Sequence, residues 1–104
     1  MVKARLCLVD EVPSGTARRF DVDGHRIALV RVGEEFHAVA DRCSHADFSL
    51  SDGTVWASER EIECPKHGSA FSLTTGQPKS LPATTPVRVY PVSIDGDSIV
   101  VELD

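Results

Sequence analysis

Two short groups of residues carry the chemistry open to this chain: Cys43-Ser44-His45, and Cys64-Pro65-Lys66-His67 followed by Gly68. Each group brings one thiolate and one imidazole, and eighteen residues separate His45 from Cys64. A close pair on a loop can present both groups to one metal-sized object, and two such loops can grip it from opposite sides. Two chemistries use this donor set. One is tetrahedral zinc. The other is a [2Fe–2S] cluster with two thiolates on one iron and two imidazoles on the other. The mixed pairs suit the cluster, because each loop must then reach both irons. Zinc sites more often place like ligands together, as in Cys-x-x-Cys with His-x₃₋₅-His.

Strands must position these loops. Lys3 to Val9 carries apolar residues without helical spacing. Phe20 to Val22, the Asp23-Gly24 turn and Arg26 to Val32 read as a hairpin. Gly33-Glu34 turns again, and Phe36 to Ala40 follows as a strand. Val87 to Ile94, the turn Asp95-Gly96-Asp97 and Ser98 to Leu103 close the chain. No window holds a period of 3.6 over a helix's length. Six prolines and seven glycines punctuate the sequence at short intervals. An all-β sandwich or small barrel is predicted. Between Asp41 and Pro82 the apolar pieces are short: Val55-Trp56, Glu61-Ile62-Glu63 and Ala70-Phe71. Apolar burial there looks thin against the chain entropy to be lost. A bound metal centre would supply the missing order.

The bulk numbers exclude other classes. A chain of 104 residues, 41% hydrophobic and 26% charged, fits one globular domain. Its apolar runs fall far short of the ~20 residues that span a bilayer. The N-terminus lacks a signal peptide's apolar stretch, so the expected location is cytoplasmic, with no membrane partner. The net charge is −5, and no basic patch marks a nucleic-acid binder. Glu59, Glu61 and Glu63 form a loose acidic concentration. It reads as a solvated surface, or as a docking face for a basic redox partner. Three cysteines without a secretion signal argue against a disulfide framework. Cys7, between two leucines, reads as a small apolar strand residue. His25 and His37 have no companion at ligand spacing and read as ordinary strand or surface histidines. Trp56 is expected in the core beneath the loops, the other reading being exposure beside them at a docking surface.

The pattern Cys43-x-His45 … Cys64-Pro65-x-His67-Gly68 resembles the ligand signature of Rieske proteins. Gly68-Ser69-Ala70-Phe71 and Thr75-Gly76 are similar to the segment that follows the second ligand pair. The resemblance spans nearly the whole chain. It is strongest to the Rieske ferredoxins of bacterial ring-hydroxylating dioxygenases. It implies an all-β Rieske fold, an antiparallel β-sandwich with a small cluster-binding subdomain of loops and short strands. Residues 1–104 would form a single domain, with the subdomain at about 41–82. One [2Fe–2S] cluster per chain would be held by Cys43, His45, Cys64 and His67. Pro65, Gly68 and Ser69 would shape the second loop around it.

No nucleophile–base pair is evident, so the resemblance implies an electron carrier without catalytic residues of its own. The electron would come from a flavin-dependent NAD(P)H ferredoxin reductase and pass to a terminal oxygenase, with the carrier itself a monomer. Respiratory Rieske proteins carry an extra cysteine in each loop; Phe48 and Lys66 stand at those places here, so no disulfide can form. Phe71 stands where the respiratory type has a tyrosine hydroxyl. The missing donor implies a potential of roughly −150 mV rather than about +300 mV. Three other readings are a small subunit of another Rieske-containing oxidoreductase, an accessory redox protein, and a zinc-stabilised interaction module.

Overall fold

The computed structural model describes residues 2–43, 48–66, 68–81 and 83–103. Ten strands account for its regular structure: β1 (Val2–Leu8), β2 (Ala17–Val22), β3 (His25–Val32), β4 (Glu35–Ala40), β5 (Thr54–Trp56), β6 (Glu61–Glu63), β7 (Ala70–Ser72), β8 (Val89–Tyr90), β9 (Val92–Asp95) and β10 (Ser98–Leu103). Short 3₁₀ turns cover Val9–Glu11 and Leu50–Asp52, and no α-helix occurs among the described residues. All strand pairs are antiparallel, in three sheets ordered β1-β10-β9, β2-β3-β4-β8 and β5-β6-β7. The all-β class expected from the sequence is the class found.

The run Ile27-Ala28-Leu29-Val30 explains the layering. Successive strand residues point to opposite faces, so a run of four apolar residues in one strand calls for cover on both. All four are fully buried. Ile27 and Leu29 pack with Cys7, Ala38, Tyr90, Ile99 and Val101 under the β1-β10-β9 sheet. Ala28 and Val30 pack on the other side with Val39, Leu50, Ile62, Phe71 and Leu73. The four-stranded sheet is therefore the middle layer, and the small β5-β6-β7 sheet is built onto its second face.

The hairpins form where the turn residues place them. The stretch from Val87 to Ile94 does not form one strand. Pro91 cannot donate to a ladder, and the chain changes sheets there. Val89 and Tyr90 pair with Val39 and Ala38, whereas Val92 to Asp95 pair with β10. Cys7 is buried, as a small apolar residue would be. Burial, and then the Glu11 carboxylate, pushes its thiol pKa up, which keeps it protonated.

Trp56 is not core. It lies on an edge strand, 47% exposed, and its Nε1–H donates to Glu63 Oε1 at 3.1 Å. Strand parity gives the reason. Val55, Ile62 and Phe71 align across the three strands and face inward, which turns Trp56 and its partner Glu61 away from that row. His25 has a structural partner, its Nδ1 lying 3.0 Å from the Tyr90 hydroxyl.

A charged brace joins the two layers at their rim. Arg60, in the turn between β5 and β6, donates from Nε and Nη2 to both carboxylate oxygens of Glu35 on β4, at 2.8 and 2.6 Å. His37 Nε2 lies 3.1 Å from the same carboxylate. The Arg60 hydrogen bond, then that of His37, lowers the Glu35 pKa from 4.5 to about 2. A depressed carboxylate stabilises the fold above its unfolded pKa, and that contribution is lost as pH falls through the folded one. The brace is solvent-exposed, so the effect is small. Thermal melts of wild type and Glu35→Gln are expected to differ most above pH 5 and to converge between pH 4.5 and about 2. Melting curves that stay parallel across this window would remove the brace from the account.

Candidate metal centre

The first of the two cysteine-bearing loops leaves β4 through Asp41 and Arg42. Asp41 is fully buried, yet it is a carboxylate. Burial of a charge requires partners, and it has them. Ser51 donates to it from its backbone N–H at 2.7 Å and from Oγ at 2.9 Å, while Arg19 Nε lies 3.8 Å away. Asp41 also donates its N–H to the Arg26 carbonyl, and Arg26 Nη2 donates to Ser49 Oγ at 3.2 Å. The chain from 41 to 51 is thus closed at its base. Within it, Cys43 N–H donates to the Phe48 carbonyl at 2.9 Å.

The second loop joins β6 to β7. Cys64 N–H donates to the Ser69 carbonyl at 2.7 Å, and Gly68 N–H returns to the Cys64 carbonyl at 3.1 Å. This tight closure puts Gly68 at φ +74°, which a side chain rarely tolerates. Among the described residues, a Cβ there would meet only Glu63 Oε2 at 4.0 Å. The positive φ alone accounts for a glycine here. Pro65 and Lys66 lie exposed at the turn.

A third segment backs the second loop. Ser69 is completely buried and its Oγ accepts from the Ala83 N–H at 3.1 Å, so it does not face water. Ser80 Oγ accepts from Ala70 N–H at 3.0 Å and donates to the Gly68 carbonyl at 3.4 Å.

The fold brings Cys43 and Cys64 together from loops distant in sequence. Neither is in a disulfide, and they are 1% and 0% exposed, in one apolar cluster with Leu50, Ile62, Phe71 and Leu73. His45 and His67 lie outside the described residues. Two soft donors held reduced in an apolar, water-poor setting fit an iron–sulfur group, which thiolates hold. The surrounding burial limits solvent access, one of the levers on its potential.

Sequence reasoning named the cysteines and missed what supports them. Asp41, Ser51, Ser80 and Arg60 carry no motif. One signal was available: Asp41 continues an inward-facing strand pattern just before Cys43. Phe48 and Lys66 also proved to be neighbours, with Lys66 Nζ 5.5 Å from the Phe48 ring centroid.

The family described as the Rieske [2Fe-2S] domain matches residues 3–91. The chain belongs to that family, and it carries one [2Fe–2S] cluster as an electron-transfer protein rather than an enzyme. It is 44% identical over 97 residues to the 3-phenylpropionate/cinnamic acid dioxygenase ferredoxin subunit of Escherichia coli (strain K12), covering 93% of this chain and 90% of that one. Its fold matches the ferredoxin of carbazole 1,9a-dioxygenase from Nocardioides aromaticivorans IC177 with a TM-score of 0.94 and 40% identity, over 97% of each chain. It also matches a chain in a complex of reduced oxygenase and oxidized ferredoxin of carbazole 1,9a-dioxygenase, with a TM-score of 0.90 and 36% identity over 99% of this chain and 98% of that one. No helix among the described residues is long and apolar enough to cross a membrane.

Proposed function

We propose that this chain is the one-electron carrier of a ring-hydroxylating dioxygenase system, with its cluster held by Cys43, His45, Cys64 and His67. The observation that carries this reading is the placing of two buried thiols from separate loops in one apolar cluster, in a chain 44% identical to a dioxygenase ferredoxin subunit. The cluster, when bound, takes up and gives back a single electron. The chain's own residues hold it and keep water from its thiolate side. Residues 41–82 serve as the cluster-binding subdomain of a single domain, with Pro65, Gly68 and Ser69 shaping the second loop.

The donor of the electron is a flavin-dependent NAD(P)H reductase, and the acceptor is a terminal oxygenase in the same cytoplasm. The carrier works as a monomer through a small, transient interface. Stopped-flow mixing of the dithionite-reduced protein with a resting ring-hydroxylating oxygenase tests this. The expected result is re-oxidation of the carrier in step with reduction of the oxygenase. Absence of transfer to such oxygenases would refute the reading.

The potential follows from the donors. Phe71 offers no hydroxyl, and a reduced cluster with fewer donors is less stabilised. A midpoint of roughly −150 mV is expected, at the low end of the Rieske span. His67→Cys exchanges a neutral ligand for an anionic one and is expected to lower that midpoint further. A redox titration giving a positive wild-type midpoint, or a midpoint unmoved in His67→Cys, contradicts the assignment.

A further inference from the structure

The two loops that end on Cys43 and Cys64 are joined at the surface by the ammonium of Lys66 over the ring of Phe48, 5.5 Å from its centroid. Both partners are tied to the cysteine of their own loop. The Phe48 carbonyl accepts the Cys43 N–H at 2.9 Å. Lys66 sits inside the turn that the Gly68 N–H closes on the Cys64 carbonyl at 3.1 Å. A change in the Lys66–Phe48 distance is thus passed to Cys43 through the hydrogen bond at the Phe48 carbonyl, and to Cys64 along the chain itself, Lys66 lying two residues after it within the closed turn.

We propose that Lys66 and Phe48 form a non-covalent clasp that fixes the two cysteine loops relative to each other and slows loss of the cluster. They are positioning residues, acting through Cys43 and Cys64. The proposal rests on the cluster assignment made above. Phe48 has little other reason to stand where it does, since the residue is 41% exposed and belongs to neither core cluster. Lys66 is exposed as well and has no carboxylate paired with it among the described ion pairs. The contact is open to water, so its effect is that of an exposed cation–π pair, a factor of roughly two to five in an equilibrium or rate. The other side-chain bonds hold each loop to its own base or backing segment (Ser51 to Asp41, Arg26 to Ser49, Ser80 to Gly68), whereas the Lys66–Phe48 contact runs from one loop to the other.

The test is a double-mutant cycle on the cluster-loaded protein. Phe48→Ala, Lys66→Met and the double variant are challenged with a chelator, and the decay of visible absorption gives the rate of cluster loss. The expected result is a two- to fivefold acceleration in each single variant and no further acceleration in the double. Lys66→Arg and Phe48→Trp, which keep a cation over a ring, are expected to decay at the wild-type rate. If Phe48→Ala cannot be isolated loaded, Phe48→Leu keeps most of the volume without a ring face and takes its place. Rates that multiply in the double variant, or singles that decay like wild type, overturn the clasp. A colourless wild-type protein would instead sink the cluster assignment itself, so the two failures are distinguishable.

Discussion

Cys64→Ser is expected to yield a protein with no visible absorption band and no EPR signal on reduction, while Cys7→Ser remains coloured. The contrast comes from position rather than exposure, since both thiols are buried. Cys7 lies under the β1-β10-β9 sheet among Ile27, Leu29, Ile99 and Val101. Cys64 shares its apolar cluster with Cys43 and sits in a loop closed on itself by two backbone hydrogen bonds. A serine at position 64 fits the space but is a poor ligand for iron beside sulfide. Metal binding and folding are coupled, so this variant is also expected to melt at a lower temperature than the loaded wild type. Absorption spectra and iron content of the two purified variants check it. A Cys64→Ser protein that keeps its full iron content would remove Cys64 from the ligand set.

Phe71→Ala is expected to destabilise the loaded protein by roughly 3–5 kcal/mol, the usual cost of emptying a buried phenylalanine site. A domain of this size has about 5–15 kcal/mol in all. Phe71 is completely buried, aligns with Ile62 and Val55 across the small sheet, and bridges to Pro78. It also packs in the cluster that holds both thiols. The cavity would therefore open where the middle layer meets the two cysteine-bearing loops. A fall in Tm of at least about 12 °C is expected, taking roughly 4 °C per kcal/mol. A fall of only a few degrees would mean that the ring is not the support that its burial implies.

The parts of this fold that were legible in the sequence are those with short-range causes. Asp23-Gly24 and Asp95-Gly96 made hairpins because tight turns need such residues. The unbroken apolar run at Ile27 to Val30 was plain as a strand, but its double burial follows only once a third sheet is placed on it. Pro91 was visible, yet its consequence, a change of sheet between β8 and β9, depends on partners far away in the chain. Trp56 was misplaced because a single large apolar residue says nothing of strand parity. Parity was fixed by the Val55–Ile62–Phe71 row, which draws on three separate segments.

The candidate site divides in the same way. Residues proposed as ligands are chemically distinctive, so Cys43 and Cys64 stand out by type and spacing. The groups that support them need only hydrogen-bond or pack, and many residue types can do that. Asp41 bracketing Ser51, Ser80 closing on Gly68 and Arg60 gripping Glu35 are long-range pairings without a sequence mark. The Lys66–Phe48 contact belongs with them, although each residue had already been noted as a departure from the respiratory pattern.

The central claim is a [2Fe–2S] cluster held by two thiolates and two imidazoles at Cys43, Cys64, His45 and His67. It is tested most directly by EPR on the dithionite-reduced protein, with the nitrogen hyperfine couplings read from the same sample. The expected result is a low-g-average Rieske signal coupled to two imidazole nitrogens, with one of the couplings lost in His67→Cys. A reduced signal without nitrogen coupling, or a colourless protein that binds zinc, would contradict it.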